Sequence, residues 1–271
     1  MQREKCAEDQ EKNLPNENAY CIIIPVNSCE AKPGKGVRHE QKLLKEWHRG
    51  ECMREQTIAT IQQEKIIAIL RGVDQCEALQ VADALYAGGI RLLEVTFQQN
   101  APETFLATAE AIATVSERYR GRMLVGAGTV ISPGQAEQAY DAGAAYIISP
   151  NMDPEIIKRT RELNMVSIPG AMTPTEILAA NNAGADFVKV FPAAALGAAY
   201  IKAVRAPISH VKLMAVGGIN SKNAPEFLSA GVCGLGVGGN LVDQKSIAAG
   251  KFENLTAAAE ELVAAVRNQT K

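Results

Sequence analysis

The chain has 271 residues, 47% of them hydrophobic and 21% charged, with a formal net charge of -2. That is ordinary globular composition, and the near-neutral balance gives no reason to expect nucleic acid or an anionic membrane as partner. No apolar run approaches the roughly 20 residues of a membrane span, and the charged N-terminus offers no secretory h-region, so a cytoplasmic location is expected.

Residues 1–52 are rich in Glu, Lys, Asn and Gln. They contain an apolar island over 20–26, a turn-prone Lys32-Pro33-Gly34-Lys35-Gly36, and one short helix expected over 40–47. This region has too little apolar surface to fold alone. It is expected to be a disordered or non-native extension, and no function is assigned to it. Four of the six cysteines fall here: Cys6, Cys21, Cys29 and Cys52. Their spacing matches no common zinc pattern, with only His39 and His48 nearby, so no metal site is expected. Cys76 and Cys233 read as isolated, at least partly buried thiols, and no disulfide scaffold is expected. Met53-Arg54-Glu55-Gln56 reads as the opening of a helix and of a single catalytic domain over 53–271.

From Ile58 onward, short apolar runs recur, each followed by an amphipathic stretch. The runs are Ile66–Leu70, Leu92–Phe97, Leu124–Val130, Tyr146–Pro150, Val166–Ala171, Phe187–Pro192, Val211–Ile219 and Gly234–Val242. Helices are predicted over Gln75–Ala87, Pro102–Val115, Pro133–Ala142, Pro154–Leu163, Pro174–Ala183, Ala198–Val204 and Asn223–Ala230. Ser132-Pro133, Asp153-Pro154 and Thr173-Pro174 carry the N-cap and first-turn signature. Ala87-Gly88, Ala142-Gly143, Ala183-Gly184 and Ala230-Gly231 read as helix ends, with Gly as the left-handed residue. Eight strand–helix units in about 200 residues predict a (β/α)8 barrel of the α/β class. An open doubly wound sheet is the alternative, but it would more naturally carry a Gly-rich first turn, and Ile69–Asp74 has one glycine.

Barrel enzymes work at the C-terminal ends of their strands. Side chains alternate along a strand, so Phe187, Lys189 and Phe191 share one face, and Val188 and Val190 the other. An ammonium among apolar groups loses its proton more easily and becomes a nucleophile for carbonyl carbon. The bland reading is a lysine that snorkels to water. Arg71 is in phase with Ile67 and Ile69, and Glu94 with Leu92 and Thr96. Thr129 lies near the end of the third run, after Gly126-Ala127-Gly128. Arg71, Glu94, Thr129 and Lys189 are thus expected to point into one interior. Each has an alternative: a buried Glu94–Lys189 ion pair, a solvated Arg71, or Thr129 as a helix N-cap. Gly217-Gly218 and Gly238-Gly239-Asn240, after the seventh and eighth runs, suit a backbone cradle for phosphate or simply tight turns.

Leu93-Glu94-Val95-Thr96-Phe97, Gly126-Ala127-Gly128-Thr129-Val130, Ile148-Ser149-Pro150, Pro169-Gly170-Ala171-Met172-Thr173-Pro174-Thr175-Glu176 and Val188-Lys189-Val190-Phe191-Pro192 occur in this order. Val216-Gly217-Gly218-Ile219 and Gly236-Val237-Gly238-Gly239 follow. The set resembles the 2-keto-3-deoxy-6-phosphogluconate (KDPG) aldolase family, which includes 2-keto-4-hydroxyglutarate (KHG) aldolase and 6-phosphogalactonate (KDPGal) aldolases. The resemblance runs from Ile58 to about Arg267 and does not reach residues 1–52.

By position, the resemblance implies Lys189 as the Schiff-base lysine and Glu94 as the general acid/base. It implies Arg71 on the pyruvate carboxylate, with Thr129, Pro150 and Phe191 lining the substrate site. Gly217, Gly218, Gly238, Gly239 and Asn240 fall on the phosphate segments. It implies a small keto-acid phosphate as substrate, no metal, no cofactor, and a homotrimer. There are three departures from the pattern: Gln98 stands where one branch has arginine, Ala215-Val216 where KDPG enzymes often have Pro-Thr, and Asn240 where Ser is common. These bear on sugar stereochemistry, not on Schiff-base chemistry. The rival readings are a phosphate-binding barrel isomerase or synthase without covalent catalysis, and a catalytically silent sugar-phosphate binding protein.

Overall fold

The structure, a computed structural model, describes residues 53–72 and 74–268. The extension over 1–52, its expected apolar island and helix, and Cys6, Cys21, Cys29, Cys52, His39 and His48 lie outside the described residues.

Helix α1 covers 53–64, as the Met53–Gln56 opening suggests. Strand and helix then alternate: β1 Ile66–Leu70, α2 Gln75–Ala87, β2 Leu92–Thr96, a short 3-10 turn Pro102–Thr104 leading into α3 Phe105–Arg118, β3 Leu124–Gly128, α4 Pro133–Asp141, β4 Tyr146–Ile148 and α5 Pro154–Glu162. Next come β5 Val166–Ile168, β6 Gly170–Ala171, α6 Pro174–Asn182, β7 Val188–Val190, α7 Ala193–Leu196, α8 Ala198–Arg205, β8 Leu213–Val216, α9 Ala224–Ser229, β9 Gly234–Val237, α10 Gln244–Ala248 and α11 Phe252–Arg267.

All strand pairs are parallel, in the order β5-β4-β3-β2-β1-β9-β8-β7-β6. β5 and β6 are two halves of one barrel strand, divided at Pro169, which has no N–H to give the ladder. The Pro169 carbonyl still accepts from the Lys189 N–H at 2.9 Å, and the Ser167 carbonyl from the Phe187 N–H at 3.2 Å. The two ends of the strand order are therefore one continuous segment. The sheet closes into the eight-stranded barrel that the alternation predicts, and the open doubly wound sheet is excluded.

The period-2 pattern sorts the strand residues. Leu70, Leu93, Val95, Ile147, Val188, Val190, Leu213 and Val237 face outward and pack with the helices. Ile67, Leu92, Tyr146, Ile148, Val166, Ile168, Phe187 and Met214 face inward and form a separate buried cluster. Most of these inward residues sit in the N-terminal parts of their strands, and α1 covers that end. Its Ile61 is fully buried among them, with Ile58 beside it. Arg54 of α1 pairs with the carboxylate of Asp186, which also accepts from the Ser167 N–H at 2.9 Å. One end of the barrel is thus filled with hydrocarbon, and the other is left for polar chemistry.

The Pro-containing helix starts are capped as expected. Ser132, Asp153 and Thr173 accept from the backbone N–H of Gln135, Glu155 and Glu176. Gly143, Gly184 and Gly231 are left-handed, with φ of 84°, 98° and 99°. The first Ala-Gly is a correction: Gly88 has φ -74°, and Gly89, at 94°, is the left-handed residue. Gly88 is needed for packing, since a Cβ there would lie 2.4 Å from that of Ala259 on α11. A second correction concerns the thiols: Cys233 is free and half-buried, whereas Cys76 is disulfide-bonded. No helix among the described residues is long and apolar enough to cross a membrane.

Candidate active site

Lys189 is the middle residue of β7, paired with Gly170 on one side and Met214 on the other. Glu94 is the middle residue of β2, between Ile69 and Gly126. Both are inward by the same alternation that turns Val188 and Leu93 outward. Lys189 is 5% exposed and Glu94 is 2% exposed. The snorkelling reading of Lys189 is thereby excluded. The two form no direct ion pair, so the structural ion-pair reading fails as well.

Their titration follows from burial. Loss of water pushes the Lys189 ammonium down from lysine's ordinary range; Glu94 opposes this, and Arg71 reinforces it. Loss of water pushes the Glu94 carboxyl up, against the pull of Lys189 and Arg71. Both groups are thus moved toward their neutral forms. The Phe191 ring centroid lies 5.0 Å from Lys189 Nζ. An amine freed of its proton is nucleophilic, and a carboxyl raised toward neutral pH trades protons readily.

The glycines of β3 make room for this pair. A Cβ at Gly128 would lie 1.8 Å from Glu94 Oε1, and one at Gly126 would lie 2.1 Å from the Tyr146 ring. Tyr146 is buried below the carboxyl and donates its hydroxyl proton to the Leu93 carbonyl at 2.8 Å. Burial, then the Glu94 charge, raises its pKa well above the usual phenol range. The Gly-Ala-Gly run was legible as a strand end. Its function as a slot for Glu94 and Tyr146 was not.

Arg71 follows β1 and is exposed at the mouth. Its guanidinium lies over Gly238, where an added Cβ would meet Nη1 at 2.7 Å. The Arg71 carbonyl accepts from Gln244 Nε2 at 2.8 Å. Its charge is felt by both Lys189 and Glu94. Gln98 approaches from the β2 side and lies near Gly72.

Thr129 stands just past β3 with φ 55°. That conformation is costly for a β-branched residue, by about 1–3 kcal/mol. Thr129 is not the N-cap of α4, which is Ser132. Gln99 Nε2 donates to the Thr129 carbonyl at 2.6 Å. Pro150 lies two residues past β4, and its carbonyl lies so close to Gly170 that a Cβ there would approach it to 2.2 Å. Among the described residues, neither Thr129 nor Pro150 hydrogen-bonds to Lys189 or Glu94.

Phe191 is 39% exposed. Its ring covers Gly217, where a Cβ would meet it at 3.1 Å. Gly217 and Gly218 both take left-handed φ, 97° and 76°, which only glycine adopts freely. Asn223 Nδ2 donates to the Gly218 carbonyl at 3.0 Å, and Asn240 Nδ2 to the Ile219 carbonyl at 2.9 Å. The segments after β8 and β9 are thereby tied together. Gly238 accepts from both the Leu241 and Val242 N–H groups at 2.8 Å. Phe191 thus lies between Lys189 and Gly217, Arg71 lies against Gly238, and the charges of Glu94 and Arg71 both act on Lys189.

A closed parallel barrel with a buried amine and a buried carboxyl sharing its interior defines a barrel enzyme with covalent chemistry within reach. Comparison with known proteins is specific. The family model for KDPG and KHG aldolase matches residues 57–258. The 2-dehydro-3-deoxy-phosphogluconate aldolase of Treponema pallidum is 38% identical over 189 residues, 68% of this chain and 85% of the relative. The 2-dehydro-3-deoxy-6-phosphogalactonate aldolase of Escherichia coli is 36% identical over 177 residues, 65% of this chain and 83% of the relative. A solved KDPG aldolase of Legionella pneumophila, with pyruvate captured at low pH as a covalent carbinolamine intermediate, superposes with a TM-score of 0.68. It is 31% identical and covers 76% of this chain and 97% of its own. The chain belongs to the KDPG and KHG aldolase family and is a carbon–carbon lyase of the aldolase type.

Proposed function

We propose that the chain cleaves 2-keto-3-deoxy-6-phospho sugar acids, KDPG or its C4 epimer KDPGal, to pyruvate and glyceraldehyde 3-phosphate, with 4-hydroxy-2-oxoglutarate as a further substrate. Neutral Lys189 adds to the C2 ketone, and loss of water gives an iminium. Glu94, directly or through water, takes the C4 hydroxyl proton. The C3–C4 bond breaks, its electron pair flows into the iminium, and the aldehyde leaves. The enamine is reprotonated at C3, and water releases pyruvate from Lys189. The iminium itself withdraws the electrons, so the cycle calls for no metal.

In this reading Arg71 binds the carboxylate and orients the ketone. Thr129, Pro150 and Phe191 line the pyruvyl half. Gly217, Gly218, Gly238, Gly239 and Asn240 cradle the phosphate with backbone N–H groups. Catalysis belongs to residues 53–271, and the active form is a homotrimer; no function is assigned to residues 1–52. The observation that carries the reading is a buried amine, in no direct ion pair with the carboxyl whose charge acts on it, inside the same barrel as that buried carboxyl.

The test is pyruvate release from KDPG, KDPGal and 4-hydroxy-2-oxoglutarate. Release from at least one phosphorylated epimer, lost in Lys189→Met, supports the proposal. No release from any of the three overturns it. The ratio between epimers reports on Gln98, Val216 and Asn240, where the chain departs from the KDPG pattern.

A further inference from the structure

The chain leaving Thr129 is held at two points by a pair of amides. Gln99, in the loop after β2, donates from Nε2 to the Thr129 carbonyl at 2.6 Å. Gln99 Oε1 in turn accepts from Gln135 Nε2 at 3.2 Å. Gln135 Oε1 accepts from the Ile131 N–H at 2.8 Å. The relay therefore holds the chain as it leaves the strained residue, gripping the Thr129 carbonyl and the amide two residues further on. Gln135 is only 5% exposed, so neither end of its amide has water as a ready substitute.

The local sequence shows how Gln135 is recruited. It is the third residue of α4, behind the Ser132 N-cap, where a Gln side chain ordinarily reaches back to the cap's own N–H. Here its carbonyl reaches one residue further, to Ile131, and its NH2 is left for Gln99. A residue that serves a helix start by type thus serves the end of β3 by geometry. A left-handed threonine persists only where its surroundings over-determine it.

We infer that Gln99 and Gln135 are positioning residues, a two-amide relay that fixes Thr129 at the mouth so that it meets the pyruvyl half of the substrate. The inference rests on the proposed placement of that half at Thr129. It assigns no contact between either glutamine and substrate. The relay acts on the part common to every substrate of the site. Its loss is therefore felt equally by phosphorylated and unphosphorylated 2-keto acids.

The experiment uses the full chain and the variants Gln99→Leu, Gln135→Leu and Gln135→Glu. The last keeps the acceptor for Ile131 and removes the donor to Gln99. The readout is the pyruvate concentration that half-saturates borohydride-trapped adduct, alongside kcat/KM on KDPG and 4-hydroxy-2-oxoglutarate and thermal stability. Gln99→Leu and Gln135→Leu raise the half-saturating pyruvate roughly tenfold and lower both kcat/KM values by one common factor. Gln135→Glu gives the same direction of change. Folded variants that half-saturate at the parent's pyruvate concentration overturn the inference, as does a loss confined to phosphorylated substrates. Should Gln135→Leu fail to fold, Gln99→Asn, in a half-exposed loop and too short to reach Thr129, decides the matter. A parent protein that forms no adduct overturns the underlying chemistry as well; a trapping parent with unaltered variants overturns the relay alone.

Discussion

Glu94 fills the space that a side chain at position 128 would need: a Cβ on Gly128 would stand 1.8 Å from Glu94 Oε1. The glycine on β3 thus sets where the carboxyl on β2 lies. Gly128→Ala should displace the carboxyl while leaving the barrel folded. A shift of about 1 Å in a reacting group costs roughly 100-fold, so kcat/KM for cleavage should fall by about that factor, with circular dichroism unchanged. Activity within a few-fold of the parent would show that the carboxyl's position is not set there.

Lys189 is held for chemistry at a cost in stability. Its pKa is lowered by burial, so the unfolded chain binds the extra proton more readily than the folded one. The penalty is complete below the folded pKa and fades as pH rises toward lysine's ordinary range. Lys189→Met should therefore be inactive yet more stable at neutral pH, by about 1–4 kcal/mol. Denaturant unfolding at several pH values checks this, and the gain should shrink as pH rises. A less stable Lys189→Met would contradict the view of Lys189 as a strained functional group.

The two charges near Lys189 act in opposite senses, Glu94 raising its pKa and Arg71 lowering it. The acid limb of adduct formation with saturating pyruvate should move accordingly. Glu94→Gln should shift it to lower pH, and Arg71→Met to higher pH. Glu94→Gln should also cut the cleavage rate by about 100- to 10,000-fold. Shifts of the same sign in the two variants would mean that Lys189 does not sense them as described.

Gly238 lies under the Arg71 guanidinium. Arg71 is long and its end is free to move, so Gly238→Ala should fold normally and push the guanidinium aside. Initial-rate kinetics should then show KM raised about tenfold for every 2-keto acid, the scale of one charge-assisted hydrogen bond, with kcat little changed. An effect confined to phosphorylated substrates would mean that Gly238 acts through the phosphate cradle alone and does not set where the Arg71 guanidinium lies.

Strand alternation was enough to set Phe187, Lys189 and Phe191 on one face, and the Pro-capped helix starts at Ser132, Asp153 and Thr173 were legible because a cap is a local device. The division of the fifth barrel strand at Pro169 was not foreseen, because the run Val166–Ala171 reads as continuous from its apolar residues. Relations across strands were hidden for a common reason. The contacts of Gly128 with Glu94, Gly126 with Tyr146 and Gly238 with Arg71 depend on register between segments distant in sequence. A local pattern fixes which face a residue takes, not which neighbour it meets. The Gln99–Gln135 relay left only a faint trace, the Ser-x-x-Gln at Ser132. Its normal meaning is a helix start, and that meaning concealed its link to Thr129.

The account turns on Lys189 acting as a covalent nucleophile. The direct measurement is borohydride reduction of the protein in the presence of pyruvate, followed by peptide mass analysis. A single reduced pyruvyl adduct should appear on Lys189 and be absent from Lys189→Met. An intact protein with no adduct, or an adduct carried by another lysine, would contradict the account.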